Sequence, residues 1–416
     1  MNKRVVITGM GVITPVGNTV DEFWSNLTKG VCGIDYIDGY EEFNLPIKIA
    51  GQVKEFHPEQ YNVAPAIMRK CDRYCQYALA AASQAMEQSG LKSGENIQPG
   101  RLGVYVGSGI GGLTTIEKES QKLFSEGVNR ISPLFIPMMI ANIAAGNIAI
   151  QFSAEGPCLP VVTACATGTH SIGEAYHAIK HGYADAVISG GAEASIHPIA
   201  IGGFNNSKAL SRNPDPKKAS IPFDKRRDGF VIGEGAGILV LEEYEHAKKR
   251  GANIIAEVCG YGNTCDAYHY TAPRPDGSVA ANAIKASLDE AGFKAGENLY
   301  INAHGTSPPL NDKTETAAIK LALGEDEARK AKISSTKSMT GHMLGATGGV
   351  EMVVCAMALR DGIVPPTIGL EEADPDCDLD YTPGKAKEIN LDVAISNSLG
   401  FGGHNSCVAL RKYKAE

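Results

Sequence analysis

The sequence predicts an α/β fold made of two related halves, residues 1–254 and 255–416. Three observations carry that prediction. Strand-like apolar runs alternate with helix-period segments from end to end. A chain of 416 residues is long for one domain. One local pattern also occurs twice. In the first half the clearest strands are expected at Val5 to Ile7, Leu102 to Val106, Ala186 to Ser189 and Gly237 to Leu241. Helical patterns lie between them over Tyr74 to Gly90 and Thr169 to His181. The second half opens near Ile254 with a strand-like run from Ala256 to Gly262. A helix around Val279 to Ala291 follows, then strands at Tyr300 to Ala303 and Ala394 to Ser396.

The repeated pattern is a strand, a small-residue turn, a reactive side chain and a helix rich in Gly and Ala. Val161-Val162-Thr163-Ala164 leads into Cys165, and Ile333-Ser334-Ser335-Thr336 leads to Gly341-His342. Helices of that composition can approach closely, so the two are expected back to back at the centre of a duplicated fold.

Bulk properties exclude several function classes. The chain is 43% hydrophobic and 21% charged, and its net charge of -8 argues against a general nucleic-acid binder. No stretch approaches the roughly 20 apolar residues of a membrane span. The segment Met1 to Gly9 reads as a strand running into a turn, with an apolar run too short for a signal peptide. The ten cysteines form no CxxC pair, so neither zinc nor dithiol chemistry is indicated, and Cys71 and Cys75 read as buried thiols. A reduced, cytoplasmic setting is expected. The Pro/Lys stretch from Asn213 to Lys218 reads as an exposed loop.

Cys165 lies among small residues in Thr163-Ala164-Cys165-Ala166-Thr167-Gly168 and opens a helical pattern. A helix N-terminus favours an anion, so the thiol is expected to ionise more readily than a free cysteine. Cys158 has no following helix and is assigned to packing. His304 ends a strand-like run where α/β sheets present functional side chains. His342 lies in Gly341-His342, which also reads as following a strand. Two neutral imidazoles so placed can donate hydrogen bonds to developing negative charge. His170, His177 and His181 run down one helix face and read as structural or exposed. Lys337 and Glu351 are either a functional pair or a solvated surface pair, and spacing alone leans to the second. The glycines of Asn397-Ser398-Leu399-Gly400-Phe401-Gly402-Gly403 free backbone N–H groups to face an oxyanion, with Phe401 as an apolar plug.

The ordered segments TACATG, NAHGTS, STKSMTGH and NSLGFGG resemble the β-ketoacyl-acyl carrier protein synthases, specifically the elongating type II condensing enzymes. The likeness runs from KRVVITGMGVITPVGN to GFGGHNS. It implies a thiolase-like fold of two duplicated halves in a five-layer α-β-α-β-α sandwich, usually a homodimer. It also implies a decarboxylating condensation, with an acyl group on Cys165 joined to a malonyl unit on acyl carrier protein in chain elongation. Cys165 would be the nucleophile, and His304 and His342 would assist decarboxylation. Lys337 would organise the site through a network with Glu351, Asp312, Glu315 and Asn397. The N–H groups of Cys165 and Phe401 would form the oxyanion hole, with Phe401 gating the acyl tunnel.

By the same resemblance Thr306, Thr271 and Gly402 would meet substrate, and Ile110 and Phe135 would line the acyl pocket near a dimer interface. Arg69, Lys70, Arg73, Lys208 and Arg212 would receive the acidic carrier protein. No metal or organic cofactor is implied beyond a structural monovalent cation, and no nucleic-acid or membrane partner. The chain departs from the family pattern at Pro308, Leu399 and His404, where threonine, phenylalanine and threonine are common. These departures bear on chain-length preference and carrier fit.

Other readings fit less well. A degradative thiolase needs a second cysteine in a Cys-Gly context, and Cys407 lies in a strand pattern. Initiating condensing enzymes carry Asn where His342 stands, and a non-catalytic chain-length subunit lacks the nucleophile. A Cys-His-Asn hydrolase leaves the second histidine without a role. Gly9-Met10-Gly11 breaks the dinucleotide-binding spacing at Thr14. A ketosynthase of a polyketide or aryl-polyene-type pathway stays open as the pathway alternative.

Overall fold

The computed structural model describes residues 3–414. Strands β1 (Val5–Ile13), β2 (Leu102–Gly107), β3 (Ala186–Glu193) and β4 (Gly235–Glu243) belong to the first half. They lie side by side in the order β2-β3-β4-β1. Strands β5 (Ala256–Cys265), β6 (Leu299–Asn302), β7 (Lys332–Ser334), β8 (Val393–Gly400) and β9 (His404–Lys412) form the second half in the order β5-β9-β8-β6-β7. Each half has parallel pairing toward its outer edge, β2 with β3, and β8 with β6 and β6 with β7, and antiparallel pairing inside. Residues 5–7 of β1 pair with 256–258 of β5 and join the halves into one nine-stranded sheet.

Helix α1 (Arg73–Ser89) covers the outer face of the first half-sheet. Helices α2 (Thr167–Lys180) and α5 (Thr347–Asp361) lie between the half-sheets and pack on each other. Helix α3 (Ser278–Glu290), backed by α4 (Pro309–Leu323), covers the second half-sheet from outside. These are the five layers of a thiolase-like sandwich. Every residue of α5 from Thr347 to Leu359 is buried, as a central helix requires. Small residues make the contact with α2 close: a Cβ on Gly168 would lie 2.7 Å from Gly349 N and 3.0 Å from Gly345 O.

The first strand corrects the expectation of a turn after Ile7, because it runs on to Ile13 through Gly9 and Gly11. A Cβ at either glycine would lie 2.0 Å from a carbonyl oxygen of α1, Ala85 or Ala81. The glycines therefore let a helix lie directly on the strand, which leaves no phosphate-binding loop there. Among the described residues no helix is long and apolar enough to cross a membrane.

Candidate active site

Cys165 sits in a 3-10 turn, Ala164–Ala166, that feeds directly into α2. Ala164 adopts φ 51°, a left-handed conformation that costs a non-glycine residue about 1–2 kcal/mol. The same construction recurs at Leu344–Ala346, with Leu344 at φ 47° and α5 beginning at Thr347. The counterpart of Cys165 in the second half is therefore Gly345, not His342. The sequence echo is real, but the conformational register sets its reactive position three residues later.

Glu193 ties the loop 108–110 to the second of these turns. Its buried carboxylate accepts from Ser108 Oγ at 2.8 Å, from the N–H groups of Gly109 at 2.8 Å and Ile110 at 3.3 Å, and from Gly345 N at 3.1 Å. Sequence reasoning missed Glu193. Its signal is an acid ending an otherwise small and apolar strand, Ala186–Glu193.

The loop after β8 presses on the nucleophile turn from the other side. A Cβ on Gly400 would lie 2.7 Å from Thr163 O and 3.4 Å from Cys165 N, so only glycine permits that approach. The Phe401 N–H donates to the Cys165 sulfur. Even so, burial pushes the thiol up to about 12, outweighing that N–H and the Lys337 charge. This corrects the expectation that the helix N-terminus lowers the thiol into the neutral range: dehydration wins, and the resting group is a neutral thiol. Alkylation of Cys165 should therefore accelerate about ten-fold per pH unit from pH 7 to 10, with no plateau, because only the thiolate reacts. A rate that levels off near pH 7 would mean an already ionised thiol.

His304 and His342 meet edge to face with ring centroids 5.4 Å apart. Both are buried, and burial together with the nearby Lys337 charge holds each imidazole well below its usual range and therefore neutral. His304 is placed by Glu315, whose carboxylate accepts from the N–H groups of His304 at 2.6 Å and Gly305 at 2.7 Å and from Asn397 Nδ2 at 2.8 Å. Burial raises Glu315 to about 7. Asp312 takes the Phe223 N–H at 2.8 Å and the Ser307 N–H at 3.2 Å, bracing the chain just beyond. His342 does not directly follow a strand as expected. A helical turn, Lys337–Thr340, and Gly341 at φ 67° intervene after β7. Its Nδ1 lies 3.2 Å from Thr347 Oγ1 at the start of α5.

Lys337 and Glu351 are each 1% exposed and ion-paired, which corrects the solvated-surface reading. Lys337 Nζ also donates to Ala303 O at 3.4 Å, and the second oxygen of Glu351 accepts from Ser396 Oγ at 3.1 Å. Burial pushes Glu351 up to about 7, with Lys337 opposing. Lys337→Met leaves a buried carboxylate without its partner and should cost about 3–5 kcal/mol in denaturant unfolding. A change below about 1 kcal/mol would show that the pair is solvated after all.

A cavity of about 310 Å³ opens on Cys165, His304 and His342 together. Thr306, Thr271, Phe401 and Lys208 also line it, as do Pro308 and Leu399. Gly402 supports the wall from behind, at φ 90° with its N–H donated to Tyr270 O at 2.8 Å. Ile110 and Phe135 do not line this cavity within the single chain. Ile110 is 38% exposed and Phe135 opens a short helix, Phe135–Met139, on the same outer apolar surface. A Cβ on Gly111 would lie 2.7 Å from Met139 O, so the two segments touch. Of the five basic residues, only Lys208 reaches the cavity. Arg69, Lys70 and Arg212 are exposed, and Arg73 stacks over Phe56 at 4.9 Å beside a separate hollow.

Residues 2–247 match the model of the β-ketoacyl synthase N-terminal domain, and residues 255–371 that of the C-terminal domain. The chain belongs to the β-ketoacyl synthase family. It is 49% identical over 414 residues to the 3-oxoacyl-[acyl-carrier-protein] synthase 2 of Staphylococcus aureus (strain COL), covering 100% of this chain and 99% of that protein. The protein of the same name from Synechocystis is 50% identical over 413 residues, covering 99% of each. Among solved structures, the AntDE:AntF complex superposes with a TM-score of 0.92 at 36% identity, covering 100% of both chains. That structure is described as a type II PKS acyl-carrier protein in complex with its ketosynthase bound to the hexaketide.

Proposed function

We propose that this β-ketoacyl synthase elongates acyl chains by decarboxylating condensation on acyl carrier protein. The observation that carries the reading is the convergence of Cys165, His304 and His342 on one cavity. In the first half-reaction the Cys165 sulfur attacks the carbonyl carbon of an acyl-carrier thioester. The carrier sulfur leaves with the proton that the Cys165 thiol gives up. The N–H groups of Cys165 and Phe401 stabilise the tetrahedral oxyanion. In the second, malonyl-carrier protein enters and its thioester carbonyl accepts hydrogen bonds from the two imidazoles. The carboxylate leaves as CO2, its electron pair becomes the enolate, and the enolate carbon attacks the acyl group on Cys165. The Cys165 sulfur leaves as a thiolate and takes up one proton from solvent, so the products are 3-oxoacyl-carrier protein, CO2 and the regenerated thiol. Neutral imidazoles suit this step, since loss of CO2 supplies the carbanion and only donors are needed.

Several finer features belong to the same proposal. Phe401 acts as the gate of the acyl cavity, and Lys208 at its mouth takes part in receiving an acidic carrier protein. A homodimer would cover the exposed Phe124, Val128 and Ile136 together with Ile110, and would bring an acyl tail past Phe135. The buried amide oxygens of Asn302 and Asn397 have no hydrogen-bond partner, and Asn302 pairs in register with Ser396, the donor to Glu351. That donor set fits a monovalent structural cation. No redox cofactor enters the reaction. Cytoplasmic fatty acid elongation is favoured over a polyketide-type pathway by the higher identity to the synthase 2 relatives.

The test offers purified protein acyl-carrier protein and malonyl-carrier protein. One CO2 released per 3-oxoacyl-carrier protein formed is the expected result. CO2 without a lengthened acyl chain would overturn the condensation reading.

A further inference from the structure

We propose that His404 and His170 form a latch that holds the Phe401 gate open while Cys165 is loaded. The proposal rests on the gating role given to Phe401 above. His404 begins β9, directly after the glycine loop that carries Phe401. Its ring lies against Gly402: a Cβ on that glycine would be 3.1 Å from His404 Cδ2 and Nε2. In the arrangement seen here, which the proposal takes as the closed one, the imidazole is a prop beneath the loop.

His170 stands beside it on α2, the helix that starts at the nucleophile turn, with ring centroids 6.4 Å apart and planes at 87°. The hydrogen bonds around His170 fix its tautomer. Tyr261 OH donates to Glu174 at 3.1 Å, so it can only accept from His170 Nδ1, 2.7 Å away. Nδ1 therefore carries the proton and Nε2 presents a bare lone pair. That Nε2 is buried and has no hydrogen-bond partner. A buried acceptor left unsatisfied is costly, so an available donor is favoured whenever geometry allows one. Burial also keeps His170 from taking up a second proton near neutral pH, with its imidazole down at about 4.

His404 is the donor within reach. A swing of its ring out from under Gly402 gives its N–H to His170 Nε2 and removes the prop from the loop in one motion. The loop is otherwise tied by Gly402 N to Tyr270 O at 2.8 Å, Asp266 N to Gly403 O at 2.8 Å, Gly403 N to Gly400 O at 3.1 Å, the Cys265 thiol to Gly402 O at 3.6 Å and the Phe401 N–H to the Cys165 sulfur, bonds that the proposed opening must loosen. The closed state thus leaves one acceptor unpaired, and the open state pairs it.

The test measures single-turnover acylation of Cys165 by octanoyl-carrier protein in the full-length enzyme. His404→Phe keeps a ring and loses the donor, and should slow acylation about ten-fold, equivalent to about 1.4 kcal/mol. His404→Gln restores a donor and should recover the rate to within about two-fold, which a purely packing role would not produce. In a Phe401→Ala background, with the plug removed, the His404→Phe penalty should vanish. A wild-type rate for His404→Phe would overturn the latch, as would equal slowing by His404→Phe and His404→Gln. If Phe401→Ala by itself left acylation unchanged, the gating role would fail, and the latch with it.

Discussion

Cys165→Ala is expected to abolish condensation, lowering turnover by at least about 10⁴-fold, the scale on which nucleophile deletions act. The fold should tolerate the change. Cys165 is only half-buried, its neighbours Ala164 and Ala166 are already alanines, and one sulfur is all that is removed. No other cysteine can substitute. Among the described residues, Cys165 is the only cysteine lining the cavity that holds His304 and His342. A side chain that fills the position of the acyl-enzyme should behave differently. Cys165→Gln is expected to lose condensation and keep malonyl decarboxylation, because the imidazoles and the oxyanion N–H groups stay in place. Condensation surviving in Cys165→Ala would remove the covalent step.

The second large effect falls on the imidazoles. His304→Ala and His342→Ala should each cut malonyl decarboxylation by about 10²- to 10³-fold, the range for losing one preorganised donor to a developing oxyanion. The double variant should be far from additive, since both donors serve one carbonyl oxygen. Loading of Cys165 should continue in both single variants, because the N–H groups of Cys165 and Phe401 serve that step. Mass spectrometry would then find acyl-enzyme accumulating when both carrier substrates are supplied. Loss of loading in step with decarboxylation would instead make the histidines bases for the thiol.

Much of this site is legible in the amino-acid sequence, and the exceptions have physical causes. The small-residue helices announce their contact because Gly168 and Gly349 leave no room for a side chain between α2 and α5. Gly9 and Gly11 mislead for a related reason. Glycine in a sequence reads as a turn, whereas here it clears a strand for the backbone of α1. Spacing along one chain could not reveal that Lys337 and Glu351 are sealed from water, since burial is set by β6 and β8 packing around them. Glu193 and Ser396 escaped notice because their importance lies in partners far away in sequence, Gly345 and Glu351. The helix N-terminus argument for Cys165 named a genuine effect of the wrong rank. Its stabilisation of an anion is worth at most about 2 kcal/mol and is smaller than the cost of dehydrating a thiolate. Ile110 and Phe135 lie on an outer apolar face away from the Cys165 cavity, so one chain alone does not put them at it.

The measurement closest to the central claim is peptide mapping of the enzyme after brief exposure to acyl-carrier protein, followed by a chase with malonyl-carrier protein. The acyl group should appear on Cys165 alone and leave during the chase as 3-oxoacyl-carrier protein. An acyl group found on another residue, or one on Cys165 that the chase does not remove, would contradict the account.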